Sequence, residues 1–348
     1  MENLGIDDFS ISTERRYWLV RTMGGDYYKE YVLDGFIAIG YNEITIEDLR
    51  NLPPDYTLAK DILAEKLDIK LEIPKERSGY IISQILRFER ELTIGDIIIV
   101  PGRNSHMASF GIVTSDTYEY TENAHKAEVC QFEKRRSVEW LKHSSRYDLH
   151  AELQLMFNSR HIISNVDGYG SLIDNLLNDF YIKGDKTFIV LRVRQEDELS
   201  AEDFTLVGDL MSLFNEFSEE YGLGVTSADV KMKMSVQSPG DITAFASSPE
   251  GIAVIGLIIM FIKGGTFSIN WGGFDLNIKV PTMSESFAKI ATALNGFLND
   301  RSKRQIIKKL GTKLDNMEIE TPQSIISIMQ ELGTPNKKIE DNEHKLEG

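Results

Sequence analysis

Four aromatic side chains near the start of the chain could together bind a planar ligand. Trp18 lies in the alternating segment YWLVR, and Tyr27, Tyr28 and Tyr41 follow it. A base that stacks on an aromatic ring gains about 1–3 kcal/mol, so several rings in one place would form an effective cage. The same rings equally suit a structural role, in which they cap one end of a small β-barrel.

Polar side chains that could accompany these rings occur at two places in the sequence. Arg21 ends the first aromatic segment, and the loop Arg103–Ser105 follows the turn formed by Pro101 and Gly102. A loop of this kind can contact a base edge or a phosphate, whereas the simpler alternative is a solvated polar loop. The predicted ligand-binding set is Trp18, Arg21, Tyr27, Tyr28, Tyr41, Arg103, Asn104 and Ser105.

The sequence offers little for catalysis. Its histidines show no metal-ligand spacing, and it contains no phosphate-binding loop, dinucleotide fingerprint or nucleophile elbow. Glu128 with Glu133 and Lys134 partly resembles a nuclease pattern but lacks an intervening residue. The single cysteine, Cys130, excludes a disulfide framework and a cysteine-based zinc site. We therefore expect a non-catalytic binding protein with no catalytic residue, metal or cofactor.

Charge limits the ways in which this protein could bind nucleic acid. The 348 residues include 38 Lys or Arg and 54 Asp or Glu, which gives a net charge of −16. Non-specific coating of nucleic acid requires a broad cationic face, which this composition does not favour. A nucleic-acid contact would therefore depend on a local patch or on a pocket that accepts a flipped base.

Hydrophobic spacing predicts the elements that would position the candidate residues. Strands are expected at 17–21 and 36–39, with a turn at Gly24-Gly25 between them because glycine readily adopts positive φ. Further predictions are helices at 57–70 and 77–90, a buried strand at 97–100, and strands at 109–113, 118–120 and 128–132. The basic cluster Lys134-Arg135-Arg136 follows the last of these strands and precedes Val138-Glu139-Trp140-Leu141.

A set of short segments in this half resembles a known family. WLVRT and FIAIGY, then ILRFERELTIGDIIIVPG, FGIV and RRSVEWL, are similar to the EVE-type branch of the PUA-like superfamily. The resemblance covers residues 14–150, although Tyr41 stands where related sequences tend to carry tryptophan. It implies a small, partly open β-barrel with helices packed outside. It also implies association with prokaryotic restriction and anti-phage proteins that sense modified bases in DNA.

The second half of the chain shows a mixed pattern without a functional motif. It predicts strands at 187–193 and 229–236, a helix that begins near Ser200 and Asp203, a hairpin at 266–280, and amphipathic helices at 283–299, 301–314 and 322–332. The segment Ser238-Pro239-Gly240, followed by a helix ending at Gly264-Gly265, resembles a module of uncharacterised bacterial proteins and implies architecture only.

The most apolar run of the chain, residues 252–262, allows three interpretations. It is 11 residues long, whereas a membrane-spanning helix needs about 20. A buried helix is therefore favoured, and we expect no constitutive membrane insertion. Because a soluble monomer seldom tolerates a large exposed apolar patch, a homodimer or higher oligomer is also expected. Insertion into a membrane after a trigger is the remaining alternative.

These observations predict an α+β protein. Residues 1–150 would form a PUA-like, EVE-type β-barrel with outer helices, residues 151–332 an α/β C-terminal domain ending in amphipathic helices, and residues 333–348 a disordered tail. The predicted function is a cytoplasmic sensor that binds a modified or flipped base in DNA, or a related nucleotide. The alternatives are a homo-oligomeric adaptor and a membrane-perturbing effector.

Overall fold

The computed structural model of this chain describes residues 9–71, 75–121, 129–195, 200–234, 240–263 and 283–333. The chain divides into two compact units, one formed by residues 14–177 and the other by residues 1–13 with 178–348. We call them the N-terminal unit and the C-terminal unit. The predicted fold class is confirmed, because the chain combines α and β elements, with a curled N-terminal sheet that forms half of a barrel and helices at the C-terminal end.

The described strands and helices follow the chain in this order. The strands are β1 (Ser10–Ile11), β2 (Tyr17–Val20), β3 (Phe36–Ile39), β4 (Ile97–Pro101), β5 (Met107–Val113), β6 (Tyr118–Glu119), β7 (Lys134–Ser145), β8 (Ile163–Asn165), β9 (Phe180–Lys183), β10 (Lys186–Val193), β11 (Lys231–Met234) and β12 (Gly240–Ala246). The helices are α1 (Tyr28–Leu33), α2 (Ile46–Arg50), α3 (Tyr56–Leu71), α4 (Lys75–Leu86), α5 (Ala151–Leu155), α6 (Gly170–Leu177), α7 (Leu206–Tyr221), α8 (Pro249–Ile262), α9 (Met283–Leu298), α10 (Arg304–Asn316) and α11 (Gln323–Gly333). A π-helical turn, Arg87–Glu91, continues α4.

The curled sheet of the N-terminal unit has the strand order β3-β7-β5-β4-β2-β8, and β6 pairs with β7. The long strand β7 pairs with β5 and with β3, so it carries the sheet around the core. The central strand β4 is buried along its whole length, as predicted. Its side chains alternate between two cores, with Ile98 and Val100 in one and Ile97 and Ile99 in the other.

The boundary between the units differs from the predicted boundary at residue 150. Residues 151–177 belong to the N-terminal unit, because Leu153 and Ile173 pack on the sheet face that carries Ile97 and Ile99. Residues 1–13 belong to the C-terminal unit, because β1 pairs in parallel with β9. The predicted tail at 333–348 lies outside the described residues except for Gly333, which ends α11.

The C-terminal unit combines a five-stranded sheet, ordered β1-β9-β10-β12-β11, with helices. The apolar helix α8 lies at its centre, packed against side chains of β10, β12, α7, α9, α10 and α11. Residues Ile252–Met260 of α8 are buried within the chain itself, as the favoured interpretation predicted. The exposed apolar patch that motivated the dimer prediction is therefore not formed by these residues, and the dimer itself stays a prediction.

Two predicted elements need correction or fall outside the structure, and one strand was not predicted. The strand predicted at 128–132 is wrong for the described residues 129–132, because β7 begins only at Lys134. The unpredicted strand is β12, which pairs with β10 and β11. The predicted hairpin at 266–280 lies outside the described residues. Among the helices that the structure describes, none is long and apolar enough to cross a bilayer.

Candidate ligand-binding site at the paired loops

Two short loops of the N-terminal unit lie in direct contact. One is Met23–Gly25, which follows β2, and the other is Arg103–Ser105, between β4 and β5. We call them the paired loops. A Cβ atom on Gly25 would lie 2.4 Å from the Arg103 backbone, so only glycine permits this approach. The Thr22 hydroxyl donates to the Pro101 carbonyl at 2.7 Å and fixes the first loop to the end of β4.

Both loops hold non-glycine residues in a strained backbone conformation. The φ angles of Met23, Asn104 and Ser105 are 51°, 52° and 56°. Such residues cost on the order of 1–3 kcal/mol each and concentrate at functional sites. Two strained loops in contact therefore make this surface the leading candidate for a binding site within the described residues.

The ring of Tyr28 packs against the residue that precedes the second loop. It lies against Gly102, where a Cβ would be 3.4 Å from the tyrosine Cδ1. Its hydroxyl is 2.7 Å from Ser109 Oγ, which in turn is 2.7 Å from His143 Nδ1. Ser109 is buried and His143 is exposed. The three side chains thus form a hydrogen-bonded row from the interior to the surface.

The exposed groups at the paired loops include cationic, amide and aromatic side chains. Arg103, Asn104 and His106 are exposed, and segment 101–109 contains no acidic residue. Tyr147 is 71% exposed, and its ring centroid lies 6.0 Å from that of His106. This surface offers hydrogen-bond donors beside aromatic faces, which is the combination that a planar ligand with polar edges requires.

Trp18 cannot contribute to a ligand cage in this structure. Its side chain is 0% exposed, and its indole nitrogen donates to the Asp96 carboxylate at 2.9 Å. Asp96 also accepts from the backbone amides of Thr93 and Arg16. The carboxylate thereby ties β2 to the turn before β4, so Trp18 has a structural role in the core.

Tyr27 and Tyr41 lie in a different cluster from Tyr28. The Tyr27 ring meets the ring of Phe132 edge-on at 5.1 Å, and burial followed by the nearby Cys130 raises the pKa of Tyr27. Tyr41 has a φ of 62°, and its carbonyl accepts from the buried Lys134 ammonium at 2.8 Å. Its backbone strain thus accompanies the binding of Lys134 and not the geometry of the paired loops.

Arg21 is also directed at protein groups. Its guanidinium donates to the carbonyls of Phe157 and Ser159, the first at 2.5 Å. Burial, and next the charge of Arg146, lower the pKa of Arg21. The arginine therefore anchors the segment after α5 to β2.

The predicted set accordingly separates into parts. The structure brings together Tyr28, Arg103, Asn104 and Ser105, whereas Trp18, Arg21, Tyr27 and Tyr41 have contacts elsewhere in the unit. Sequence reasoning missed Ser109, His143 and Tyr147 as neighbours of the loop, whereas His106 follows the loop directly in the sequence but was not included in the predicted set. Ser109 and His143 meet because they are paired in the antiparallel register of β5 and β7. Spacing along the chain does not show this pairing.

Comparison with known families assigns no activity to this unit. Residues 17–160 match the family model described as "Domain of unknown function (DUF8426)". The matched residues include both paired loops. No curated protein and no solved structure matches the chain.

Metal binding has no support in the part of the chain that the structure describes. There, no group of three or more His, Cys, Asp or Glu side chains could hold an ion. Cys130 is buried, and burial raises the pKa of its thiol to about 11. It is therefore a poor candidate for a reactive thiol.

Proposed function

We propose that the N-terminal unit is a non-catalytic reader that binds a planar, polar-edged ligand at the paired loops. The ligand class that best suits this surface is a nucleobase, either flipped from DNA and chemically modified or carried on a related nucleotide. The observation that carries the proposal is the contact between two strained loops, which presents Arg103 and Asn104 beside Tyr28.

The physical argument for a base rests on matched chemistry. Arginine can donate two hydrogen bonds to one base edge, and an asparagine amide can donate one and accept one. The aromatic faces of His106 and Tyr147 can stack on a base. A flipped base places its recognition energy in a local site. This mode suits a chain with a net charge of −16, which lacks the excess of cations needed for non-specific coating.

The wider biological setting is part of the same proposal. The sequence resemblance to EVE-type domains implies recognition of modified DNA in bacterial anti-phage defence, and we propose this role in the cytoplasm. The C-terminal unit would then transmit the binding event or assemble copies of the chain. Its buried apolar helix α8 gives no support to a membrane-perturbing role.

The proposal is tested by the binding of duplexes that carry modified or unmodified cytosine, compared at one fixed salt concentration. The variants are Arg103→Ala and Asn104→Gly, since glycine keeps the positive φ at position 104. Each variant is expected to weaken binding of the preferred duplex by roughly 1–3 kcal/mol. Tyr28→Ala is also expected to weaken it, because the variant removes the ring that packs against Gly102 and the hydroxyl that contacts Ser109.

Lys308→Ala is the matched control for Arg103→Ala, because it removes one exposed cation from the C-terminal unit. It should leave the preference between the duplexes unchanged. If both duplexes bind with the same affinity, and that affinity depends only on the salt concentration, binding is purely electrostatic and the proposal is contradicted. Absence of binding to either duplex by the wild-type chain would also contradict it.

A further inference from the structure

An open surface cavity of the N-terminal unit lies beside the edge strand β8, and none of its lining residues belongs to the paired loops. Its volume is about 410 Å³, within the range of roughly 300–1,000 Å³ typical of small-molecule sites. Its polar lining consists of Arg87, Ser159, His161, Ser164, Asn165 and Tyr169. Leu155, Met156 and Val166 form its apolar wall. We call this cavity the edge pocket.

The edge pocket is built on fixed backbone. The side chains of α4 occupy the free edge of β8, since Tyr80 accepts from the Ile162 amide at 3.2 Å and Gln84 from the Ile163 amide at 2.8 Å. Arg87 Nη1 donates to the Ile163 carbonyl at 3.1 Å. These three contacts hold the guanidinium at a defined position on the pocket wall.

Arg87 has two features that point to a ligand. Its Nε atom is buried and has no hydrogen-bond partner among the described residues, and the Glu91 carboxylate oxygen lies 3.6 Å away. Arg87 also begins the π-helical turn Arg87–Glu91, a rare element that occurs frequently at functional sites. The guanidinium thus forms one ion pair, with Glu91, and the pocket lining adds no second carboxylate beside it.

The lining chemistry selects an anion. None of the side chains that line the pocket is acidic, although acidic residues outnumber basic ones in the chain by 54 to 38. Two carboxylates lie next to lining residues but do not line the pocket themselves. Glu91 forms an ion pair with Arg87, and Asp167 accepts a hydrogen bond from the Asn165 side chain. Arginine and hydroxyl groups are favoured ligands of phosphate oxygens. The apolar wall and the Tyr169 ring suit the organic part of the same molecule.

We propose that the edge pocket binds a small phosphate monoester of nucleotide size, with its phosphate near Arg87 and its organic part on the wall of Leu155, Met156 and Val166. This site is separate from the paired loops and does not depend on the function proposed for them. The same phosphate chemistry could also come from a nucleic-acid backbone, and the test distinguishes the two sources.

Calorimetric titration of the full chain with each of the four 5′-ribonucleoside monophosphates tests the proposal. At least one should bind, and it should bind at least roughly tenfold more tightly than its nucleoside or inorganic phosphate. Replacing Arg87 could disturb β8, so the decisive variant is Leu155→Glu. Leu155 is 57% exposed, and a carboxylate there repels the phosphate, so affinity should fall at least roughly tenfold.

Leu58→Glu is the matched control, because Leu58 also lies on a helix and is 51% exposed. It should leave nucleotide affinity unchanged. The proposal is overturned if no monophosphate binds, or if Leu58→Glu weakens binding as much as Leu155→Glu. It is equally overturned if none of the free monophosphates binds but a short single-stranded oligonucleotide does, and if Leu155→Glu weakens binding of that oligonucleotide.

Discussion

Two buried segments of this molecule reach burial by opposite means. At the start of β7, Lys134, Arg135 and Arg136 are each 5% exposed or less, whereas helix α8 buries the apolar run Ile252–Met260 to a similar degree. The cations are accommodated because each donates to backbone carbonyls, and Lys134 donates to those of Tyr41 and Ile44. Directional hydrogen bonds therefore govern one segment, and packing volume governs the other.

The carbonyls that accept from Lys134 and Arg136 come from distant parts of the sequence, whereas those that accept from Arg135 lie just before β7. Arg135 donates to Cys130 and Phe132, and its guanidinium lies 4.1 Å from the Phe36 ring centroid. Arg136 donates to Phe88, Glu89 and Ser115. Buried charges of this kind are costly unless they are fully hydrogen-bonded. The start of β7 thus fixes several loops at once, which a purely apolar strand would not do.

The largest expected effect is loss of packing volume in α8. Ile258 is fully buried, so Ile258→Ala should lower the free energy of unfolding by about 2–5 kcal/mol through lost burial and a residual cavity. Urea unfolding followed by circular dichroism measures the change. Leu141→Ala, at a residue 48% exposed on β7, is the control and should stay within about 0.5 kcal/mol of wild type. Equal effects in the two variants would contradict the packing argument.

The second prediction uses pH to test the charged segment. Burial lowers the pKa of Lys134 from 10.5 to about 8. Between these values the unfolded chain holds a proton that the folded chain has lost, so the free energy of unfolding rises with pH. Relative to Lys134→Met, wild-type stability should rise by up to about 3 kcal/mol from pH 8 to 10.5.

The comparison with Lys134→Met removes the contribution of Cys130 to the pH dependence of stability, which has the opposite sign. Burial raises the pKa of the Cys130 thiol from 9.0 to about 11, so the folded chain retains this proton longer and stability falls with rising pH. Both proteins share that contribution, and it cancels in their difference. A flat difference across this pH range, measured by urea unfolding, would show that Lys134 is not desolvated.

The smallest expected effect concerns a single methyl group in α8. A Cβ on Gly256 would lie 2.7 Å from Ile189 Cδ1 and 2.8 Å from Ile325 Cγ1. Gly256→Ala should therefore lower the free energy of unfolding by about 1–3 kcal/mol through overpacking. Gly208→Ala in α7 has nothing within 4 Å of the new atom and should raise it by about 0.5–1 kcal/mol. Stabilisation by both variants in thermal unfolding would contradict close packing around α8.

Elements that depend on local pattern could be predicted from the sequence. The run at 97–100 indicated a buried strand, as observed. Ser200 with Asp203 indicated a helix start, and the two residues exchange hydrogen bonds as expected, but α7 begins only at Leu206, after a 3-10 turn at Asp203–Thr205. The strand β12 was missed because Ser238-Pro239-Gly240 indicated a turn leading into a helix, whereas tertiary pairing with β10 and β11 extends the segment.

The candidate site could be predicted only in part, since its members meet through tertiary structure. The loop Arg103–Ser105 was found from its polar residues after a turn, and Tyr28 from its ring. The sequence cannot show that an indole such as that of Trp18 is fully buried on Asp96. It also cannot show that Tyr27 and Tyr28, adjacent along the chain, contact different clusters, because that depends on how α1 packs against the curled sheet.

The pairing of β1 with β9 has a consequence for biosynthesis. Residues Ser10 and Ile11 are synthesised before the N-terminal unit, but their partners Ile182 and Lys183 follow only after the whole N-terminal unit has been made. At about 5–20 residues per second the delay is roughly 10–30 s. The N-terminal unit is complete in sequence before the other sheet gains its second strand. Strand β1 therefore meets its partner strand only after the intervening unit has been synthesised.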